Sequence, residues 1–250
     1  MGIRFDGKTV VVSGAGHGFG RCIAETFAQL GASVFGCDLS AAELAETARA
    51  GVDTEVLDLT DRAAAAAWIA QIELTTGGAV DVLVNNAGGV AEQQMRPIEE
   101  VSDVDWDRIF AVNIGAAFTL SRAVVAGMKR AGSGRIINIG SGAGLGPSLT
   151  GIQAYCSAKH AVVGLTRQLA HELGSFGITV NCVAPGFVRS NAASERQWAG
   201  YGEEGQRALV ERIAMKRLGT AQDIANSVVF FASELAGFVN GQILAVDGGK

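Results

Sequence analysis

Seven short runs of apolar, mostly β-branched residues punctuate the chain: 8–13, 32–37, 54–57, 80–86, 134–140, 178–184 and 243–246. Most are apolar nearly throughout instead of alternating, as in "KTVVVS" and "VDVLVNN". That is the pattern of strands covered on both faces, which parallel sheets require. Between the runs, apolar positions recur at helical spacing over 18–30, 40–50, 61–76, 104–130, 154–173 and 221–234. Strand and helix alternating along a whole chain predict an α/β fold with a doubly wound parallel sheet of about seven strands. Neither a linker nor an internal repeat interrupts residues 1–250, so one domain is predicted. Residues 187–215 fit least well: they are polar with isolated aromatics. They read as a partly helical excursion that forms a lid and pocket wall.

Composition narrows the functional classes. Hydrophobic residues make up 48% and charged residues 18%, which points to a packed globule and not a disordered chain. A net charge of −5 offers no field for nucleic acid. The basic clusters at Lys129-Arg130, Arg207–Arg212 and Lys216-Arg217 are small and read as solvated helix ends. No uninterrupted apolar run approaches the roughly 18 residues of a membrane span, so no membrane partner is expected. The polar "DGK" at residues 6–8 leaves no room for a signal-peptide core. Cys22, Cys37, Cys156 and Cys182 lack metal-ligand spacing, so no metal is expected and the thiols read as reduced, in a cytoplasmic protein. Cys22, Cys37 and Cys182 read as small core residues, whereas Cys156 adjoins a candidate catalytic tyrosine.

The first predicted strand runs into "SGAGHGFG", residues 13–20. Gly14, Gly18 and Gly20 form GxxxGxG at the carboxyl end of a strand, where doubly wound folds bind ligands. Glycines let the main chain approach closely, and the helix that follows presents unpaired N–H groups that suit a pyrophosphate. The second strand ends in Asp38, 18 residues after Gly20. Its carboxylate either caps the helix starting near Ser40 or accepts the ribose hydroxyls of an adenosine. In the second role it repels a 2′-phosphate, and Leu39 and Ser40 supply no cation to counter that, so NAD is expected over NADP. His17 within the loop reads as a neutral loop residue with a weak positive charge as the other option.

"YCSAK" places Tyr155 and Lys159 at i and i+4, on one helix face. A free phenol, with a pKa of about 10, is a poor base near neutrality. An ammonium about 4 Å away would favour the phenolate by about 4 kcal/mol at an effective dielectric of 20. Ser141 in "NIGS", "NNAG" at 85–88 and "APG" at 184–186 all end predicted strands on the ligand-binding side. Asn113 lies inside the long helix, where its side chain or a loosened carbonyl could hold an ordered water.

Together these motifs, in this order and spacing, resemble the roughly 250-residue single-domain branch of the short-chain dehydrogenase/reductase family. The resemblance spans the chain, from the glycine loop to the C-terminal "GQILAVDGG". It implies a Rossmann-type NAD-binding domain in which Tyr155 is the general acid/base. Lys159 would lower its pKa and bind the nicotinamide ribose. Ser141 would bond the substrate oxygen, and Asn113 would support a proton-relay water chain. The family's cofactor positions fall on Ser13, Gly14, His17, Gly18, Phe19, Gly20 and Asp38, with Asp58 and Leu59 at the adenine. Asn86, Ala87 and Gly88 would line the cleft, joined by Pro185, Gly186, Val188 and Ser190 near the nicotinamide. Ser13 and Ser190 stand where Thr is usual, and Gly140 where many members have a second Ser. The tetrad is complete.

The expected reaction is NAD-dependent interconversion of a secondary alcohol and its ketone. Gln153 is expected to join Ser141 and Tyr155 at the substrate, favouring a polyol, sugar or hydroxy-acid type small molecule. A 3-oxoacyl thioester reductase, acting on an acyl carrier protein or CoA substrate, is the alternative. An NAD-dependent epimerase or dehydratase would usually need a larger C-terminal substrate domain. A non-catalytic NAD-binding regulator or scaffold would not need the intact tetrad. Arg189, Arg196, Trp198 and Tyr201 stand out in the lid segment without an assigned role. The wide apolar faces of helices 104–130 and 154–173, with the family's habit, imply a homotetramer.

Overall fold

A computed structural model describes residues 2–250 of the protein. Seven parallel strands form one sheet in the order β3-β2-β1-β4-β5-β6-β7. They are β1 Thr9–Ser13, β2 Ser33–Asp38, β3 Asp53–Val56, β4 Val82–Asn85, β5 Gly134–Ile139, β6 Ile178–Pro185 and β7 Ile243–Val246. Parallel strands need long crossovers, and helices supply most of them: α1 Gly18–Gln29, α2 Ala41–Ala48, α3 Arg62–Thr76, α4 Asp103–Phe110, α5 Ala116–Ala131 and α6 Gln153–Leu173. After β6 come α7 Ala192–Gly200, α8 Gly202–Arg212 and α9 Ala221–Ala232.

The apolar runs divide between two layers because successive strand residues point to opposite faces. Val10 and Val12 of β1 join Ile23 and Phe27 of α1 and Ile224 and Val228 of α9 on one face. Val11 joins Ile69 of α3, Leu120 and Val124 of α5 and Leu173 of α6 on the other. That is why "TVVV" is apolar throughout. The edge strand β3 is only partly covered, and its run contains Asp53 and Glu55.

The predicted helix 104–130 is interrupted. Ala111–Gly115 form a π-turn between α4 and α5, and Asn113 lies within it. Contrary to the expectation that no segment could span a membrane, helix 103–131 contains a window long and apolar enough by length and composition. Polar positions such as Thr119, Ser121 and Arg122 break every uninterrupted run, which hides it from inspection. In the fold, Leu120, Val124 and Met128 of this helix are completely buried within the α/β core.

Strand order reverses between β1 and β4, since β1 leads outward to β2 while β4 leads the other way. The loops after those strands diverge at this switch point and open a crevice at the carboxyl edge. Residues 187–215 leave the edge after β6 and return before α9, forming α7 and α8, so the expected excursion is partly helical.

Candidate active site

The crevice has a volume of about 480 Å³. Gly14, His17, Gly18, Phe19, Asp38, Asp58, Leu59, Asn86, Ala87, Gly88, Tyr155, Lys159 and Ser190 all line it. The glycine loop is shaped by its contact with the loop after β4. Gly14 has φ +66, and a Cβ there would lie 2.9 Å from the Ala87 Cα. A Cβ on Gly20 would overlap the Gly14 carbonyl. Gly20 is therefore a packing glycine behind the crevice and not a lining residue.

Ser13 likewise sits behind the crevice, where its side chain is bonded to the loop after β4. Its hydroxyl accepts from the N–H groups of Asn86 and Ala87, each at 3.0 Å, and donates to the Val84 carbonyl at 3.3 Å. The Asn86 amide donates to the carbonyls of Ser13 and Gly14, each at 3.0 Å. These bonds lock the two diverging loops together.

The N-terminus of α1 opens into the crevice. His17 precedes its first residue and forms no side-chain cap, and the first turn holds no acidic residue. N–H groups left free in this way, with the positive end of the helix dipole, fit a dinucleotide pyrophosphate. Opposite, Asp38 accepts from Gly16 N at 3.0 Å and from Leu39 N at 2.7 Å. The cap of α2 belongs to Ser40, whose hydroxyl accepts from Glu43 N. Asp38 lines the crevice, and the cap of α2 is not its role. Arg21 donates to the Gly16 carbonyl and to the Glu43 carboxylate, which occupies the nearby guanidinium.

Tyr155 and Lys159 project from the first two turns of α6. The Lys159 Nζ is 5.8 Å from the Tyr155 ring centroid and donates to the Ile139 carbonyl at 2.9 Å. Lys159 is only 5% exposed, and burial pushes its pKa down to about 8. Burial also pushes the Tyr155 phenol above its ordinary value, and the Ser141 hydroxyl offsets part of that. The expected lowering of the tyrosine by lysine is therefore not a property of the protein alone. Desolvation disfavours both charged forms, and the ammonium is turned onto a main-chain carbonyl.

Ser141 has an extended backbone and accepts from Ala143 N at 3.1 Å, which seats the turn after β5. Asn113 is buried in the π-turn. Its amide donates to the carbonyls of Gly89 at 2.9 Å and Ile109 at 2.8 Å, and its oxygen accepts from Gly89 N at 3.0 Å. The side chain thus clamps the loop after β4. Pro185 and Val188 are buried, Gly186 N donates to Val246 O, and none of the three lines the crevice. The Gln153 amide donates to the Arg96 carbonyl at 2.9 Å, in the loop after β4.

The lid side chains engage one another. Arg189 forms a two-pronged pair with Glu195, closest at 2.8 Å, and lies over Trp198. Phe187 stacks on Trp198 and meets Tyr201 edge-on. Arg196 is exposed. Cys156 donates to the Ala143 carbonyl at 3.3 Å, tying the turn after Ser141 to α6. Burial raises Cys37 to about 12 and Cys182 to about 11, as suits inert core thiols.

The crevice also contains residues the sequence reading omitted, among them Leu39, Leu57, Thr60, Ala91, Arg108, Val112 and Asn191. Leu39, Leu57, Thr60 and Asn191 flank motif positions and were within reach of a local argument. Arg108 stands five residues before Asn113 on α4 and carries no motif signal.

Comparison with known proteins agrees with this geometry. A family model described as enoyl-(acyl carrier protein) reductase matches residues 14–250. The chain is 38% identical to a 3-oxoacyl-(acyl-carrier-protein) reductase of Escherichia coli strain K12, over 99% of this chain and 98% of that one. It is also 38% identical to the BbsD subunit of a hydroxy(phenyl)methylsuccinyl-CoA dehydrogenase from Thauera aromatica, over 100% and 98%. A candidate NAD(P)-dependent gluconate 5-dehydrogenase from Beutenbergia cavernae, solved with NADP at low occupancy, superposes with a TM-score of 0.88. It is 39% identical, and the match covers 98% of this chain and 97% of that one.

The buried lysine generates a stability prediction. An unfolded lysine keeps its ordinary value of 10.5, while the folded one titrates at about 8. The folded state therefore bears the full cost of the buried charge below pH 8, and stability recovers as pH rises toward 10.5. Lys159→Met is expected to stabilise the cofactor-free protein at pH 7 by about 1–3 kcal/mol, or about 2–8 °C in Tm. Calorimetry from pH 7 to 10.5 should show that advantage shrinking; a lower Tm for the variant at pH 7 would refute it.

Proposed function

The chain belongs to the short-chain dehydrogenase/reductase family of oxidoreductases, and on that premise we propose that it is an NAD-dependent enzyme interconverting a secondary alcohol and its ketone. The observation carrying this reading is the pairing of Tyr155 and Lys159 in the crevice, with the Ser141 hydroxyl bonded to Tyr155, in the same cleft as Asp38 and the uncapped start of α1. A bound nicotinamide would supply the hydride acceptor. Tyr155 as phenolate takes the hydroxyl proton while the carbinol C–H leaves as hydride and the C=O bond forms. Ser141 donates to the oxygen that becomes the carbonyl. Lys159 holds positive charge beside the phenolate, and Asn113 fixes the loop against which the cofactor lies.

Asp38 supports NAD over NADP. A 2′-phosphate would meet its carboxylate, and Arg21, the nearby cation, is already held by Glu43. The related structure with NADP bound is the finding this preference must answer. A second reading, reduction of 3-oxoacyl thioesters, is favoured by the 38% identity to a 3-oxoacyl reductase over nearly the full length of both chains. It is separated from the first by offering a 3-oxoacyl thioester with NADH. The free thiols suit a reducing cytoplasm. Exposed Phe118, Leu235, Phe238 and Leu244 support assembly into a homotetramer.

With NAD and a turned-over alcohol, Tyr155→Phe is expected to lower kcat about 10²–10⁴-fold while NADH binding, followed by fluorescence, persists. Near-parental turnover would remove Tyr155 from the role of base. The parent is expected to show a higher kcat/KM for NAD than for NADP, and Asp38→Ala to narrow the gap, chiefly by improving NADP. A parent that prefers NADP would contradict the argument. Sizing chromatography is expected to give four chains per particle, and a monomer would argue against the assembly.

A further inference from the structure

One face of the sheet changes character just below the crevice. Side chains two apart on a strand share a face. On β4, β5 and β6 this aligns Leu83, Ile136 and Val180, all buried in the apolar layer under α5 and α6. The next level up is Asn85, Asn138 and Cys182, side by side in the parallel register and all buried. Two residues beyond Asn138 the chain reaches Gly140, which lines the crevice. This polar level is bonded through. The Asn85 amide donates to Asn138 Oδ1 at 2.8 Å and to the Ser121 hydroxyl of α5 at 3.0 Å. The Asn138 amide donates to Thr166 Oγ1 of α6 at 2.9 Å, and the Thr166 hydroxyl donates to the Val162 carbonyl at 2.8 Å.

Thr166 lies at i+7 from Lys159, two turns along the same face of α6. Lys159 Nζ donates to the carbonyl of Ile139, the neighbour of Asn138. Helix α6 is thus tied to β5 twice, at adjacent residues of the strand. Lys159 and Thr166 both pull the Cys182 thiol down against its burial, which brings all three together at β6. Apolar packing is non-directional and lets a helix shift along the sheet face, whereas a hydrogen bond has a narrow geometry. The polar level also carries a cost that an apolar one would not. Asn85 Oδ1 is buried and has no hydrogen-bond partner.

We propose that Asn138 and Thr166 are positioning residues for the Tyr155–Lys159 pair: their bond holds α6 against β5 in the register that keeps the Lys159 ammonium beside the phenol. The proposal rests on the alcohol–ketone reading above for what the pair does. Neither residue lines the crevice, and both act through Lys159. The other groups at the pair are Ser141, which bonds the phenol from the turn after β5, and Cys182 of β6, whose thiol is pushed up to about 11 and stays neutral. Helix α4 and the loop after β4 pack apolar groups against the ring, Ile109 and Ala91 among them. Of the remaining titratable side chains, His17, Asp38, Asp58 and Arg108 line the crevice, and none of them bonds to Asn138 or Thr166.

The test follows the Tyr155 phenol directly in the NAD-bound protein. The chain has 2 tyrosines, so labelling tyrosine with 13C at Cζ gives one NMR signal for each, and Tyr201→Phe identifies them. Titration from about pH 6 to 10.5 reads phenolate formation. Thr166→Val keeps the shape of the side chain and removes its hydroxyl. It is expected to move the Tyr155 titration to higher pH by about 0.5–1 unit, or about three- to tenfold less phenolate near neutrality. Thr166→Ser keeps the hydroxyl and is expected to titrate as the parent does. Asn138→Leu is expected to match Thr166→Val, and it decides the matter if that variant does not fold. With an alcohol that is turned over, the acid limb of kcat should move by the same amount while the high-pH plateau stays within about twofold. An unmoved Tyr155 titration in the folded variants, even with a lower Tm, would leave the row a purely structural role and overturn the proposal. So would Thr166→Ser shifting as far as Thr166→Val. If no alcohol yields NADH, the alcohol–ketone reading falls, and the titration, which needs no substrate, still decides this proposal.

Discussion

One hydroxyl holds the site together. At the switch point the chain after β1 turns one way and the chain after β4 the other, so nothing in the sheet ladder keeps their loops in register. Ser13 Oγ accepts from two consecutive N–H groups of the second loop while donating back into β4. Ser13 is completely buried, and losing its hydroxyl would deprive both N–H groups of this partner. The close approach that follows explains why glycine is required at 14 and 20. It also explains why Asn86 points into the first loop. The crevice for a dinucleotide is the space left on the open side of this joint.

The chemistry at the other end rests on desolvation more than on attraction. Lys159 and Tyr155 are both held where charge is disfavoured, one pushed down and the other up. Burial is the largest cause of both shifts, and the lysine donates to a main-chain carbonyl. Such a site is costly to fold, and a seven-stranded sheet covered on both faces has the apolar burial to sustain it. It is also poised: a cationic ring brought beside the pair favours phenolate in a medium where a nearby charge acts strongly.

The most conspicuous side chains of the sequence are satisfied within the protein. Arg189, Gln153 and Trp198 are conspicuous as letters, yet each has a partner inside the protein.

Much of this molecule was legible before folding. The apolar runs located all seven strands to within a few residues, because coverage of both sheet faces leaves a continuous apolar signature. GxxxGxG with Asp38, and Tyr155 with Lys159, were legible because they depend on local backbone spacing and on the strand ends that carry them. Tertiary structure decided the rest. It turned Ser13 and Gly20 from lining groups into the joint behind the crevice, sent Gln153 into the loop after β4, and put a π-turn under Asn113. It brought Arg108 to the crevice wall, packed one face of an apolar helix against the core, and set the Lys159 ammonium on a carbonyl. Each of those outcomes depends on which partner, distant in sequence, reaches a side chain first, and periodicity along one chain carries no record of that.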